Sequence, residues 1–280
     1  MRVDLHTHTN ASDGLLAPDA LVRAIRAARL AVFSVTDHDT VDALAEVRER
    51  SRAAGLELIP GIELSAMWQG VELHILGYFI DPADRHLLGF LQRRRNARGV
   101  RLGKMLDRLR MLGIAVNPDT VLAKAQDGNV GRPHLARVLV ERGYVGGLDE
   151  AFDRYLGEGK PAYVPRPDVR CEEAIRVVHE AGGLASWAHP GLNGRDGAIA
   201  DLVRAGLDAI EVYHARHTPG VTTHYRRLAE TWNLLVTGGS DFHGTTGRDH
   251  GIAPGNPLLP APDFLRLKAA AERRRPLARF

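Results

Sequence analysis

The chain has 280 residues, 44% of them apolar and 25% charged, which suits a globular protein with a sizeable core and excludes a low-complexity chain. A net charge of +3 is too small to argue for nucleic acid by itself, and a single cysteine, Cys171, excludes an intramolecular disulfide and argues against a zinc-thiolate site. Charge interrupts the N-terminus where a secretory leader is apolar, and no apolar run approaches the roughly 18–20 residues of a membrane span, so a cytoplasmic protein without membrane contact is expected.

In chain order, "RVDLH" reads as a strand and "APDALVRAIRAARL" as an amphipathic helix with Pro18 and Asp19 in its first turn. "AVFSVTDHD" is a second strand, and "TVDALAEVRERSRAAG" a helix ending near Gly55. "LELIPGIELSA" is a third strand, and "WQGVELHILGYFI" returns extended after a turn at Gln69-Gly70. From about 84 to 165 the patterns are helical, with Leu102, Met105, Leu106 and Leu109 at helical spacing and short helices in "RPHLARVLVERG" and "LDEAFDRYLGEG". Strand-and-helix alternation then resumes. A helix over 171–181, the strand "GLASWAHPG", a helix over 196–205, the strand "DAIEVYHA", a helix over 219–231, the strand "LLVTGGSDFHG" and a last helix in "PDFLRLKAAAERRR" complete the chain.

Repeated βα units imply a mainly parallel sheet with helices outside, whose chemistry falls at the C-terminal ends of the strands. Those ends carry His6 and His8 with Asp13 in the loop beyond, His38, Glu63, His74 on the return strand, His189, Glu211 with His214 and His217, and Asp241 with His243. Residues i and i+2 of a strand share a face, so His6 and His8 can hold one ion together. Asp241 and His243 do the same, unless the strand bends after Asp241 and sends them to different ions. One H-x-H on a strand is a weak signal, but ligand types at successive strand ends are a strong one. Imidazoles and carboxylates without cysteine point to a catalytic, hydrolytic cluster.

"DLHTHTNASDG", "VTDHDT", "GIELSA", "LHILGY", "AHPG" and "GSDFHG" together resemble the motifs of the PHP (polymerase and histidinol phosphatase) family, over essentially the whole chain. They are most similar to the stand-alone bacterial members that act as 3′,5′-nucleoside bisphosphate phosphatases and 5′→3′ exoribonucleases. The resemblance implies an α/β fold, a distorted (β/α)7 barrel over 1–83 and 166–280 with a helical insertion over 84–165. It implies two to three divalent ions, manganese first, with zinc, iron and magnesium also suited to the donors. One ion falls to His6, His8, Glu63 and Asp241; a second to Glu63, His74 and His189, with Glu63 bridging; a third to Asp13, His38 and His243.

The implied reaction is hydrolysis of a phosphate ester by a hydroxide activated on the ions. His217 is the candidate proton donor to the leaving oxygen. Arg132 and His134, with Lys160 and Arg248, are the candidate contacts to substrate phosphate. Small nucleotides and short single-stranded RNA are the expected partners, with no obligate protein partner. The other readings are a histidinol-phosphate phosphatase and a non-catalytic metal-stabilised module that binds nucleic acid or a polymerase.

Asp37 and Asp39 flank His38 and both suit orientation of another ligand; Asp39 before Thr40 equally suits a helix N-cap, the favoured reading for that residue. The stretch 93–110 carries eight basic residues and one acidic residue, and reads first as a solvated helix face and second as a basic stripe that gathers polyanions such as RNA. His86, His179, His224 and His250 match no motif and are expected not to be ligands, and Trp68, Trp187 and Trp232 to pack in the core or at its rim.

Overall fold

The computed structural model describes residues 1–124, 130–165, 169–244 and 252–274. Its seven strands are β1 (Val3–Asp4), β2 (Val32–Val35), β3 (Glu57–Trp68), β4 (Val71–Tyr78), β5 (Leu184–Trp187), β6 (Ala209–His214) and β7 (Leu235–Gly239). They pair in sequence order. All neighbours are parallel except at β4, which runs antiparallel to both β3 and β5. The β3–β4 hairpin turns through Gln69 and Gly70, both at positive φ, the backbone that a two-residue hairpin requires.

The seam between β7 and β1 nearly closes the sheet into a barrel. Leu5 N–H donates to the Gly238 carbonyl (3.1 Å), and His8 N–H to that of Phe242 (2.9 Å). Buried Asp4 ties the seam further. Its carboxylate accepts from the Ser240 N–H (2.9 Å) and hydroxyl (2.6 Å), the Gly255 N–H (2.6 Å) and the His6 N–H (3.2 Å). Gly239 lets the strands approach: a Cβ there would lie 2.3 Å from the His6 nitrogen.

Helices α1 (Pro18–Ala27), α2 (Leu44–Ala54), α3 (Arg85–Met111), α4 (Pro118–Lys124), α5 (Arg132–Glu141), α6 (Leu148–Ala151) and α7 (Cys171–Glu180) precede β5. The short α8 (Pro190–Asn193), then α9 (Ile199–Arg204), α10 (Pro219–Thr231) and α11 (Ala261–Arg274), complete the set. The amphipathic α1 buries Leu21, Val22 and Ile25. Gly55, at φ 70°, ends α2 in left-handed backbone, as its position in the sequence suggests. Among the described residues no helix is long and apolar enough to cross a membrane.

Two separate apolar clusters are buried. The larger fills the barrel and its helix shell, and the smaller is made wholly of residues between Leu102 and Val164. The 27-residue α3 belongs to both: Leu87, Phe90 and Leu91 pack with the barrel, whereas Leu102, Met105, Leu106 and Leu109 pack with the second cluster. Arg94, Arg98 and Arg101 lie between.

Two sequence expectations are corrected here. Asp39 does not cap α2, which starts only at Leu44 with Ala43 in the cap position. Asp39 is buried instead, at φ 51°, and pairs with Arg94 and Arg98. The basic stretch is accordingly not just a solvated face. Arg101 is buried and donates to the Val164 carbonyl (2.6 Å), and Arg108 donates to that of Tyr163. Basic side chains spaced along one helix serve here to hold neighbouring backbone and a carboxylate, which periodicity alone does not reveal.

The seam makes a stability prediction. Gly239→Ala forces a methyl group against β1 and should cost about 2 kcal/mol or more. This is read as a lower urea midpoint at unchanged slope; an unchanged midpoint would show that the seam has slack.

Candidate metal centre

The centre is built beyond the ends of β1, β2, β5 and β7 and on the middle of the β3–β4 hairpin, where Glu63 and His74 lie within their strands. β1 leads into His6 and His8, with Thr7 bridged to Phe242 between them, so both imidazoles face the barrel mouth. β2 delivers His38, bridged to Glu63 of β3. β4 supplies His74, and β5 leads into His189, at φ 31°. After β7 the chain turns sharply at Asp241 (φ 56°), and this bend sends Asp241 and His243 to different neighbours.

Glu63 stands in the middle, fully buried. Its Oε1 lies 2.7 Å from His74 Nδ1 and 3.1 Å from His189 Nε2. Its Oε2 lies 3.1 Å from His6 Nε2, 3.3 Å from His8 Nε2 and 3.4 Å from His38 Nδ1. Asp241 Oδ1 faces the same pair as Oε2, 3.3 Å from His6 Nε2 and 3.1 Å from His8 Nε2. On the far side, Asp13 Oδ1 lies 3.3 Å from His243 Nε2 and Oδ2 lies 3.8 Å from His38 Nε2.

The donor atoms fall into three overlapping groups, each within 4.8 Å: His6, His8, Glu63 and Asp241; His8, Asp13, His38 and His243; and His38, Glu63 and His74. All nine residues expected as ligands are thus gathered at one end of the barrel. The grouping departs from expectation in detail. His8 and His38 each fall in two groups, and His189 reaches the cluster through Glu63 Oε1.

The electrostatics are those of a site built for cations. Burial pushes the Glu63 carboxyl up, but the imidazoles of His38, His6 and His74 outweigh it and hold it well below the usual range. Asp241 is likewise raised by burial and brought well below by His6 and His243. Burial works against a proton on His74, yet the Glu63 carboxylate lifts it to about 10. His243 also reaches about 10, against burial, through Asp13 and Asp241. Burial wins at His38, which falls to about 4. Protons on imidazoles stand in here for the positive charge that the carboxylates demand. His8 makes the point geometrically: it is fully buried, and neither of its ring nitrogens makes a hydrogen bond. Buried polar atoms without partners are costly. Pointing into a nest of carboxylates, such nitrogens fit a divalent ion.

Around the donors sits a layer of orienting groups. Glu211 Oε1 lies 2.9 Å from His6 Nδ1, and its Oε2 accepts the His189 N–H at 2.6 Å, so one carboxylate holds two donor residues. His214 Nδ1 accepts from the Arg216 N–H (3.2 Å), which leaves its Nε2 to donate to Asp241 Oδ2 at 3.3 Å. Asp37 orients the Asp13 loop by accepting from the Thr9 N–H (2.7 Å), the Thr9 hydroxyl (2.6 Å) and the Ser12 hydroxyl (2.6 Å). Sequence reasoning placed Glu211 and His214 among the possible ligands at strand ends but assigned them to no ion. The available signal was a carboxylate inside the otherwise apolar β6.

The expected proton donor is placed differently. His217 Nδ1 donates to the Val212 carbonyl (3.0 Å) and its Nε2 accepts the Gly191 N–H (3.2 Å). Burial holds its pKa below the ordinary value, against the carbonyl that raises it. It ties the loop after His189 to the loop after β6, with both ring nitrogens engaged in this arrangement.

The substrate candidates divide. Helix α5 lies beside the Asp13 loop, where Arg137 of its second turn donates to the Asp13 carbonyl at 3.3 Å, a contact that sequence reasoning missed. His134 is buried and its Nδ1 accepts the Gly131 N–H (3.1 Å), capping the helix. Arg132 lies over the rings of Tyr163 (5.5 Å) and Phe152 (5.8 Å). Lys160 is exposed on the turn after Leu156. Arg248, and with it His250, lies outside the described residues. Of the remaining histidines, His179 pairs with Asp208 (2.8 Å) and His224 with Asp196 (2.6 Å), both away from the cluster.

Comparison with known proteins agrees with this picture. The PHP domain model matches residues 4–128. The 5′-3′ exoribonuclease Rnm of Escherichia coli is 38% identical over 247 residues, 86% of this chain and 84% of that protein. The 3′,5′-nucleoside bisphosphate phosphatase of Chromobacterium violaceum is 34% identical over 275 residues, 95% and 96% of the two chains. A crystal structure from Bifidobacterium adolescentis, described as a metal-dependent phosphoesterase, superposes with a TM-score of 0.85 at 32% identity over 95% of both chains. Barrel, cluster and relatives together define a hydrolase of phosphate esters. The chain belongs to the PHP family of metal-dependent phosphoesterases.

Two predictions follow from the surroundings of the cluster. Glu211→Gln keeps the shape but weakens the hold on His6 and should lower metal affinity roughly 10- to 100-fold, measured by chelator competition; wild-type affinity would make Glu211 a bystander. Cys171 is buried away from the donors, and burial with Glu172 beside it raises its thiol to about 12. Iodoacetamide at about pH 8 should therefore leave the native protein unlabelled and label it in urea.

Proposed function

We propose that the enzyme removes a phosphate from nucleotide phosphomonoesters, 3′,5′-nucleoside bisphosphates in particular, and acts on short 5′-phosphorylated RNA at the same site. The observation that carries this reading is the set of three overlapping donor groups, two of them containing Glu63, set beside the ten-residue helix α5 from the insertion. In this reading two to three divalent ions are held, manganese by preference. His6, His8, Glu63 and Asp241 take one, His74 and His189 with Glu63 a second, and Asp13, His38 and His243 a third. A neutral imidazole offers one lone pair, so His8 serves one ion, on the side where its Nε2 meets Glu63 and Asp241. When bound, such ions supply Lewis acidity toward phosphoryl oxygens and make water a nucleophile near neutral pH.

The chain's own residues supply position and charge. Glu63 bridges the two halves of the site and fixes their separation. Glu211, His214 and Asp37 keep the donors aimed. The N-terminus of α5 attracts a second phosphate, as helix N-termini do, and this favours a bisphosphate or a polynucleotide over a substrate with one phosphate. Arg132, Lys160 and Arg248 are the proposed contacts to that phosphate, joined by Arg137, while His134 serves by capping α5. The relatives named for bisphosphates and RNA support the same substrate class. A cytoplasmic location belongs to this reading.

Purified enzyme loaded in turn with manganese, zinc, iron and magnesium should release phosphate from adenosine 3′,5′-bisphosphate with a kcat/KM at least tenfold above that for histidinol phosphate. The reverse order would assign the barrel to the histidinol ester instead. Absence of turnover on every phosphate ester, with metal bound, would leave only a binding module.

A further inference from the structure

Arg94 and Arg98, one turn apart on α3, converge on a single carboxylate, that of Asp39. Asp39 is almost wholly inaccessible at 1% exposure, and the two guanidinium side chains are 10% and 11% exposed. Arg94 Nε lies 2.9 Å from Asp39 Oδ1, and its Nη2 donates to Asp39 Oδ2 (3.0 Å) and to the Ser65 carbonyl (2.8 Å). Arg98 pairs with Oδ2 of the same carboxylate. Asp39 is also fixed to β3, since its N–H donates to the Glu63 carbonyl (2.9 Å) and its Oδ1 accepts the Ser65 N–H (3.2 Å).

Burying three charged groups is expensive, and an apolar trio would stabilise a joint between two cores at least as well. The position of this cluster is informative. Asp39 follows His38 directly and holds left-handed backbone, which a non-glycine residue keeps only where its surroundings over-determine it. With Asp37 gripping the Asp13 loop on one side and Asp39 gripped by α3 on the other, His38 is held between two anchored carboxylates. Arg98 also borders the first turn of α5: its Nη1 lies 3.8 Å from where a Cβ on Gly131 would sit.

We propose that Arg94 and Arg98 are positioning residues for the metal centre, acting through Asp39 to aim His38, so that seating of the helical insertion and completion of the Asp13/His38/His243 ion site occur together. The inference rests on the metal-centre reading given under the proposed function. It makes the insertion more than a cover for substrate: the element that carries α5 also completes the cluster beneath it.

The test compares Asp39→Asn, Arg98→Gln and Arg98→Lys with a control on the same helix, Arg95→Ala, which breaks an exposed pair with Asp42. Metal content per chain, the manganese dependence of kcat and KM on adenosine 3′,5′-bisphosphate are measured on each folded protein. Asp39→Asn and Arg98→Gln should each lose about one ion per chain at limiting metal and need roughly 10- to 100-fold more manganese for full kcat. Arg98→Lys should recover part of both, and Arg95→Ala should match the wild type. Lower melting temperature with unchanged metal content and manganese dependence would overturn the proposal, as would an equal effect of Arg95→Ala. Wild-type protein that binds no metal would sink the metal-centre reading itself, a separate failure.

Discussion

A single carboxylate with no access to water organises this molecule. Glu63 presents one oxygen to His74 and His189 and the other to His6, His8 and His38. Those partners come from four other strands or the loops beyond them, so the side chain can make its contacts only if the sheet curls round on itself. A buried carboxylate without compensation would neutralise by taking up a proton. Here the surrounding imidazoles keep it ionised. The barrel therefore needs its closed seam for chemistry as much as for stability, and the Asp4 network with Gly239 is what lets β1 and β7 approach closely enough.

The same requirement accounts for three of the residues in left-handed backbone. Asp39, His189 and Asp241 all hold positive φ, and each lies at the cluster or next to one of its donors. Ordinary strand geometry points alternate residues to opposite faces and cannot bring a donor from every strand to one centre. Bends after β2, β5 and β7 supply what alternation cannot. Their cost is of the order of 1–3 kcal/mol for each such residue. The hydrogen bonds from the His189 N–H to Glu211 and from His214 to Asp241 act where that cost falls.

The cluster of candidate donors was largely legible in the sequence because its signal is local and repeated. His6 and His8 alternate on one strand, and each later motif ends a predicted strand. Apart from Asp37, the orienting groups were not legible for the opposite reason: their partners are distant in sequence. Glu211 is 205 residues from His6, and Asp39 is 59 residues from Arg98. Asp39 looked like a helix cap because local patterns describe caps well, and a buried partner on another element outweighed that preference. The eight basic residues of 93–110 looked solvated because composition does not say which face of a helix meets a carboxylate. Arg94 and Arg98 stand four residues apart, which marks one shared face, but nothing local names what faces them. The βα alternation and the helical character of 84–165 came through clearly, since apolar periodicity reports them directly, whereas the seven-stranded barrel was implied only by the family resemblance.

The central claim is that Glu63 bridges a polynuclear metal site. Metal analysis of Glu63→Gln against the wild type, at equal protein and saturating manganese, tests it most directly. The account predicts that this near-isosteric change lowers the metal content by more than one ion per chain, because both halves of the site lose the same bridge. A folded Glu63→Gln protein that retains the wild-type metal content would contradict it.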